Sequence, residues 1–137
     1  MTGGLPPLPP EWRTAWFQLH ALLQFAGFAC VTVASALGVR TLLDGPRDAS
    51  LEPRILAWTR AGFLLLGGAL AAGALWTRQL WGGLWPRRPQ ELWGLWVWLL
   101  FFVVLHVHRV KAFKGRTAVM AGLAAWALAV PAWFLWR

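Results

Sequence analysis

The amino-acid sequence predicts an all-α integral membrane protein, folded as a bundle of four membrane-spanning helices. Two observations carry this prediction. Of the 137 residues, 58% are hydrophobic and 13% are charged, whereas soluble domains carry about 25% charged residues. Four apolar segments also follow one another along the chain, each close to the roughly 20 residues that a spanning helix needs. The length allows one small domain.

We expect a proline-rich tail over residues 1–14 and a four-helix transmembrane domain over residues 15–137, with an external tryptophan-rich loop at 77–93. The helices are predicted at about 15–43, 55–76, 92–110 and 117–136. The first two are separated by a polar loop in which Gly45, Pro46 and Pro53 break the helical pattern. A short basic loop precedes the fourth helix.

The first helix carries a polar strip. His20, Gln24 and Ser35 fall on one side of it, and Thr32 lies near the edge of that side. Polar side chains in a membrane helix face the bundle interior or a cavity rather than lipid. His20 is therefore either part of an interhelical hydrogen-bonding face or a metal ligand, since neutral imidazole is a common ligand of metals and of haem.

The second helix is rich in small residues, which allow a neighbouring helix to approach closely. These residues are Gly62, Gly67, Gly68, Ala69, Ala72 and Gly73.

The third helix ends in two histidines. His106 and His108 are two residues apart, so they point to roughly opposite sides of the helix. His106 lies about 20 Å along the helix from Trp93, which puts His20 and His106 at opposite depths. We interpret His106 as a buried hydrogen-bonding residue or a metal ligand, and His108, beside Arg109, as an interfacial residue. In the fourth helix, Pro131 predicts a kink or a freed carbonyl, which a bundle can absorb.

The loop between the second and third helices contains Trp81, Trp85 and Trp93, together with the pair Arg87 and Arg88. Tryptophans at a membrane surface often form only an aromatic belt. Rings presented by a loop that contains Gly and Pro can instead lie flat beside a planar ligand such as haem. The two arginines can pair with lipid phosphates or with carboxylates such as haem propionates. Both interpretations remain open at this point.

Several classes of function are excluded. A single cysteine, Cys30, leaves no internal disulfide, and no C-x-x-C-H motif is present for covalent haem attachment. No nucleophile–histidine set, phosphate loop or paired carboxylate site appears, so no conventional catalytic site is expected.

The net charge of +8 does not indicate nucleic acid, because the basic residues lie between apolar runs rather than in one patch. Eight of the 13 Lys and Arg residues lie in or beside the first and third loops. By the positive-inside rule, both termini and the tryptophan-rich loop are expected outside a bacterial plasma membrane. The N-terminus lacks the pattern of a cleaved signal peptide.

The stretch from residue 81 to residue 106 resembles, without a gap, the tryptophan-rich signature of cytochrome c assembly proteins of the CcsA/CcmC type. The first and second helices are similar to the family segments that precede this signature. The matching residues are Trp81, Gly82, Trp85, Pro89, Glu91, Trp93, Trp98, Leu105 and His106.

The resemblance implies haem handling on the outer membrane face. It implies non-covalent haem b held against Trp81, Trp85 and Trp93, with His20 as an external axial ligand. Haem would then pass to apocytochrome c. We expect no enzymatic activity beyond this delivery of haem. His106 would match a membrane-embedded histidine linked to haem uptake.

The sequence departs from the signature at Arg87 and Arg88, where the family has Trp and Asp. Family members commonly have six or more helices and a second external histidine, so we expect a short, degenerate member. Its partners are expected to be membrane lipids and another membrane protein or haem protein subunit.

One alternative is a structural accessory subunit of a larger respiratory or other membrane complex, which keeps the fold without binding haem. Another, a b-type electron-transfer subunit, needs paired histidines at matching depth, unlike His20 and His106.

Overall fold

A computed structural model describes residues 10, 14–45, 51–84, 92–110 and 115–135, with the side chains of the last segment described as far as Pro131. Within these ranges the chain forms four α-helices: α1 (Ala15–Asp44), α2 (Glu52–Trp81), α3 (Trp93–Arg109) and α4 (Arg116–Leu135). The predicted all-α membrane bundle of four helices is confirmed.

The helices differ in length. α1 and α2 have 30 residues each, whereas α3 has 17 and α4 has 20. At a rise of roughly 1.5 Å per residue the first pair is about 45 Å long, which exceeds the ~30 Å hydrocarbon core of a bilayer. Both are apolar and long enough to cross a membrane, and α3 and α4 are shorter apolar helices.

α2 is longer at both ends than the predicted 55–76. Its first residue is Glu52, followed by Pro53. The prediction that Pro53 breaks the helix is wrong, because a proline in the first turn has no intrahelical hydrogen bond to lose. At the other end α2 continues through Trp81 and stops at Gly82. Gly82 adopts a left-handed backbone (φ 76°), and its N–H donates to the carbonyl of Arg78.

Each helix packs on the next along the chain, and α4 closes the bundle against α1. The centre is filled by apolar side chains from all four helices, which exclude solvent and lipid from the middle of the bundle. These residues are Val31, Leu66, Val97, Phe101, Val104, Ala125 and Ala129.

α1 and α2 touch through glycines. A Cβ atom on Gly62 would lie 2.5 Å from Cγ1 of Val31 and 3.0 Å from the carbonyl oxygen of Gly27. A Cβ atom on Gly27 would lie 2.8 Å from Cγ of Leu66. Only glycine permits this approach at either position. Most of the small-residue surface predicted for the second helix lies against α1, whereas Gly67 faces Trp98 of α3.

The polar strip of α1 faces the other helices for most of its length. Ser35 is buried and Gln24 is half-buried. Thr32 is more exposed, but its hydroxyl accepts a hydrogen bond of 3.0 Å from the indole N–H of Trp126 and donates one to the carbonyl of Phe28. The strip therefore joins α1 to α4 as well as to α2.

Replacing Gly62 with alanine tests the contact between α1 and α2. The added methyl group overlaps Val31, so we expect the free energy of unfolding to fall by about 1–3 kcal/mol, as in other overpacked interiors. Detergent-induced unfolding followed by far-ultraviolet circular dichroism measures the change. Gly122→Ala is the matched control, because its Cβ atom would lie an ordinary 3.7 Å from Val104. An equal loss in both variants would contradict the proposed steric cause.

Candidate functional site

His20 is held against α2 by a single short hydrogen bond. Its Nδ1 lies 2.6 Å from the carbonyl oxygen of Ala69. A carbonyl can only accept, so Nδ1 must carry the proton, and in a neutral imidazole Nε2 then keeps its lone pair. A backbone carbonyl bound to one ring nitrogen is the usual arrangement that orients a histidine whose other nitrogen ligates a metal.

Gly73 makes room for this imidazole. A Cβ atom at Gly73 would lie 2.8 Å from Nδ1 of His20 and 3.0 Å from Cε1. Gly73 is one turn further along α2 than Ala69, so the ring lies in a notch whose floor is backbone. The sequence indicates the small-residue surface, but the pairing of Gly73 with His20 depends on the register between α1 and α2.

One aromatic ring stacks on His20, and two further rings contact that ring. The ring of Trp76 stacks on His20, with centroids 6.3 Å apart and an interplanar angle of 18°. Trp76 also contacts Phe17, at 4.9 Å, and Trp81, at 6.1 Å. We call Phe17, His20, Trp76 and Trp81 the His20 cluster. It occupies one end of the bundle, and Trp81 is 44% exposed there.

Trp93 does not join this cluster. Its ring stacks on Phe28, with centroids 5.7 Å apart, at the edge of the apolar core. Phe28 lies about 12 Å further along α1 than His20, at roughly 1.5 Å per residue. The structure therefore connects Trp81 to His20 only through Trp76 and keeps the ring of Trp93 between α3 and α1. Trp85, Arg87 and Arg88 lie outside the described residues, and their predicted roles stay predictions.

His106 lies at the opposite end of the bundle. It is exposed, stacks on Phe102 with centroids 5.9 Å apart, and lines a groove that Leu56 and Arg60 of α2 also line. Along α2, the distance from Gly73 to Leu56 is about 25 Å. One planar ligand therefore cannot reach both His20 and His106. The predicted metal-ligand role of His106 stays a prediction.

The two histidines of α3 lie in different environments. His108 is buried, with 6% of its surface exposed, because it belongs to the stripe of α3 that faces the bundle, formed by Val97, Phe101, Val104 and His108 at helical spacing. It is the residue before the last of α3, and its predicted position at the membrane interface stays a prediction. His106 falls outside this stripe, so the alternative of a buried hydrogen-bonding role does not apply to it.

Within the described ranges, no three His, Cys, Asp or Glu side chains come together to hold a bare metal ion. The His20 cluster offers one imidazole and apolar rings instead. Sequence reasoning missed Trp76 as a member of this cluster, because it precedes the tryptophan-rich loop. Its spacing of three residues from Gly73 is the signal that would place both on one face of α2.

The fold and the cluster define a class of protein: an all-α membrane bundle with one oriented imidazole among tryptophan rings at one end. The sequence profile of the family described as "Cytochrome C assembly protein" matches residues 4–137. The chain belongs to this family, and the resemblance found in the sequence is confirmed.

Curated relatives are similar at low identity. The cytochrome c biogenesis protein CcsA of Chlamydomonas reinhardtii is 26% identical over 132 residues, which cover 85% of this chain and 36% of that protein. CcsA of Synechococcus sp. (strain CC9311) is 24% identical over 159 residues, covering 86% of this chain and 52% of that protein. CcsA of Cyanophora paradoxa is 41% identical over 59 residues, covering 43% and 18%. The matched regions thus cover about half or less of the length of these relatives. No solved structure matches it.

Replacing Gly73 with alanine tests the notch. The new methyl group occupies the space of the imidazole, so we expect His20 to lose its bond to Ala69 and to populate both neutral tautomers. Side-chain ¹⁵N chemical shifts of labelled protein at neutral or higher pH report the tautomer, with the His20 signals identified by their absence in His20→Ala.

Gly94→Ala is the control for this substitution. It lies near the same end of the bundle, and its Cβ atom would make an ordinary contact of 3.5 Å with Leu70. A His20 signal in Gly73→Ala that still reports protonated Nδ1 would show that the notch does not set the tautomer.

Proposed function

We propose that this chain handles haem in cytochrome c assembly, binding haem b non-covalently at the His20 cluster. The observation that carries the proposal is the bond between Nδ1 of His20 and the Ala69 carbonyl. In the neutral imidazole this bond leaves Nε2 unprotonated, and the ring stacks beside Trp76 at one end of the bundle. An imidazole prepared in this way is suited to ligate iron.

The residues of the cluster fit haem. A porphyrin is flat and largely apolar, and ligand sites of this kind combine aromatic walls with a few placed polar groups. Trp76 and Trp81 provide the aromatic faces, and His20 provides the polar atom. When bound, haem supplies the iron that His20 would ligate and two carboxylates. We propose that Arg87 and Arg88 pair with these carboxylates, as guanidinium groups do, and that Trp85 extends the ring surface.

Among the described residues, His20 is the one imidazole at this end of the bundle. The other two histidines lie in the last turns of α3, at the far end. A haem at the His20 cluster would therefore have one coordination position that the described residues do not fill. We propose that another membrane protein or the acceptor cytochrome fills it, so that exchange of this ligand accompanies transfer.

The distribution of Lys and Arg between the loops supports an orientation of the chain in the membrane. We propose that the His20 end faces the outside of a bacterial plasma membrane, where cytochrome c is assembled. The relatives named cytochrome c biogenesis protein support a role in cytochrome c assembly. The oriented imidazole of His20 supports haem binding as the contribution of this chain.

Haem binding is tested on the full chain, purified in mild detergent and titrated with hemin. We expect near-stoichiometric haem in a pyridine haemochrome assay and a Soret band typical of imidazole ligation. His20→Ala should shift this band or lower occupancy at least about tenfold, because a lost metal–ligand bond is not replaced by ring contacts alone.

Gln24→Ala is the matched control, since Gln24 lies one turn further along the same strip of α1 and is also half-buried. Gln24→Ala should leave the haem spectrum unchanged. His106→Ala should also leave it unchanged, because the haem is held by His20. Absence of haem binding by the folded wild-type protein would favour the accessory subunit instead.

A further inference from the structure

The end of the bundle that carries His106 has a groove that the proposed function does not use. The groove lies between α2 and α3 and has a volume of about 680 Å³. Its apolar part is formed by side chains that include Leu56, Phe63 and Phe102, and its polar part includes Arg60, His106 and Arg109. The size lies within the range of sites that bind small molecules or lipid parts.

The groove is basic. None of the side chains that line it is acidic, and neither Arg60 nor Arg109 forms a salt bridge with a described residue. Of the carboxylates in the described ranges, Asp44 pairs with Arg40, and Glu52 accepts a hydrogen bond from the backbone N–H of Gly115. Guanidinium groups stay charged at all physiological pH values, so the groove is complementary to an anion.

The guanidinium groups of the two arginines can reach the depth of lipid headgroups. Arg109 is the last residue of α3. Arg60 lies about 12 Å from the start of α2. Because α2 is about 45 Å long and the hydrocarbon core is ~30 Å thick, the first turns of α2 extend beyond the core. The long side chain of Arg60 can therefore reach the phosphate layer by extending toward the interface.

An apolar wall continues from the arginines toward the membrane centre. Phe63 stacks on Trp98, with centroids 4.9 Å apart, and contacts Phe102 at 6.2 Å. Phe102, which is 49% exposed, stacks in turn on His106. Phe102 is the exposed ring of this aromatic ladder, beside the groove, so an occupant with an anionic head and a long apolar chain would contact both the arginines and the ladder.

We propose that this groove binds an acidic phospholipid, with the phosphate between Arg60 and Arg109 and an acyl chain along Phe102 and Phe63. A small free anion would use the arginines but not the aromatic ladder. Basic recesses between membrane helices are a known way of binding acidic headgroups. The bound lipid would fill the space between α2 and α3 at this end. The site is independent of haem at His20.

Native mass spectrometry of the full chain in mild detergent tests the proposal. The protein is titrated with phosphatidylglycerol or with phosphatidylcholine of the same acyl chains. We expect wild-type protein to bind phosphatidylglycerol about tenfold more tightly, because the cationic choline of phosphatidylcholine offsets the attraction between its phosphate and the two arginines. This comparison needs no variant, and equal affinity for the two lipids would overturn the proposal.

Variants locate the site. Arg60→Gln combined with Arg109→Gln should reduce the preference to within about twofold, and Arg60→Lys with Arg109→Lys should keep most of it. Arg54→Gln is the matched control, because it removes the same charge from the same end of α2 and Arg54 does not line the groove. An equal loss in Arg54→Gln would show a general charge effect and overturn the site.

Two competitors separate the lipid from other anions. Inorganic phosphate at millimolar concentration should not displace phosphatidylglycerol, and displacement would indicate a small-anion site. Hemin should not displace it either. Displacement by hemin, with a haem spectrum that His106→Ala abolishes, would assign the groove to haem through His106 and overturn the lipid proposal.

Discussion

In a bilayer, two helices gain nothing from the hydrophobic effect when they pack together, so the contact between α1 and α2 depends on how closely their backbones approach. Gly27 and Gly62 set that distance, since a methyl group on either would overlap the facing helix. The antiparallel register that results puts Gly73 opposite His20. Without this register, the imidazole would have neither the carbonyl of Ala69 nor the ring of Trp76 beside it. The candidate site is thus a consequence of helix packing several turns away from it.

The fold was largely predictable because it depends on the lengths of the apolar segments, and these are visible in the sequence. The helix ends were less so. Pro53 was predicted to break the helix, but it lies in the first turn of α2, where its missing N–H removes no intrahelical hydrogen bond. At the other end, α2 continues past Trp76 and ends at Gly82. Which side of α3 points into the bundle could not be predicted from the sequence. A 17-residue apolar helix has hydrophobic side chains on every side, so its pattern does not show that His108 points inward and His106 outward.

The site was predictable only in its parts. His20 and Trp81 stand out in the sequence as polar and aromatic residues of the right kinds, and the structure brings them into one cluster through Trp76. Trp93 stands out equally, yet it packs beside Phe28. The difference arises because Trp81 ends α2 while Trp93 begins α3, so their rings belong to helices with different neighbours. The tryptophans predicted to form one haem-binding surface are therefore separated in the described residues. Trp81 belongs to the His20 cluster, and Trp93 lies at the edge of the core.

The hydrogen bond of His20 also bears on how firmly a ligand could be held. A carbonyl that accepts from Nδ1 increases the electron density on Nε2 and fixes the ring plane, which strengthens an axial bond. The carbonyl of Ala69 lies within α2, away from the carbonyls at the helix end that lack an intrahelical partner. A site prepared in this way loses little side-chain entropy on binding.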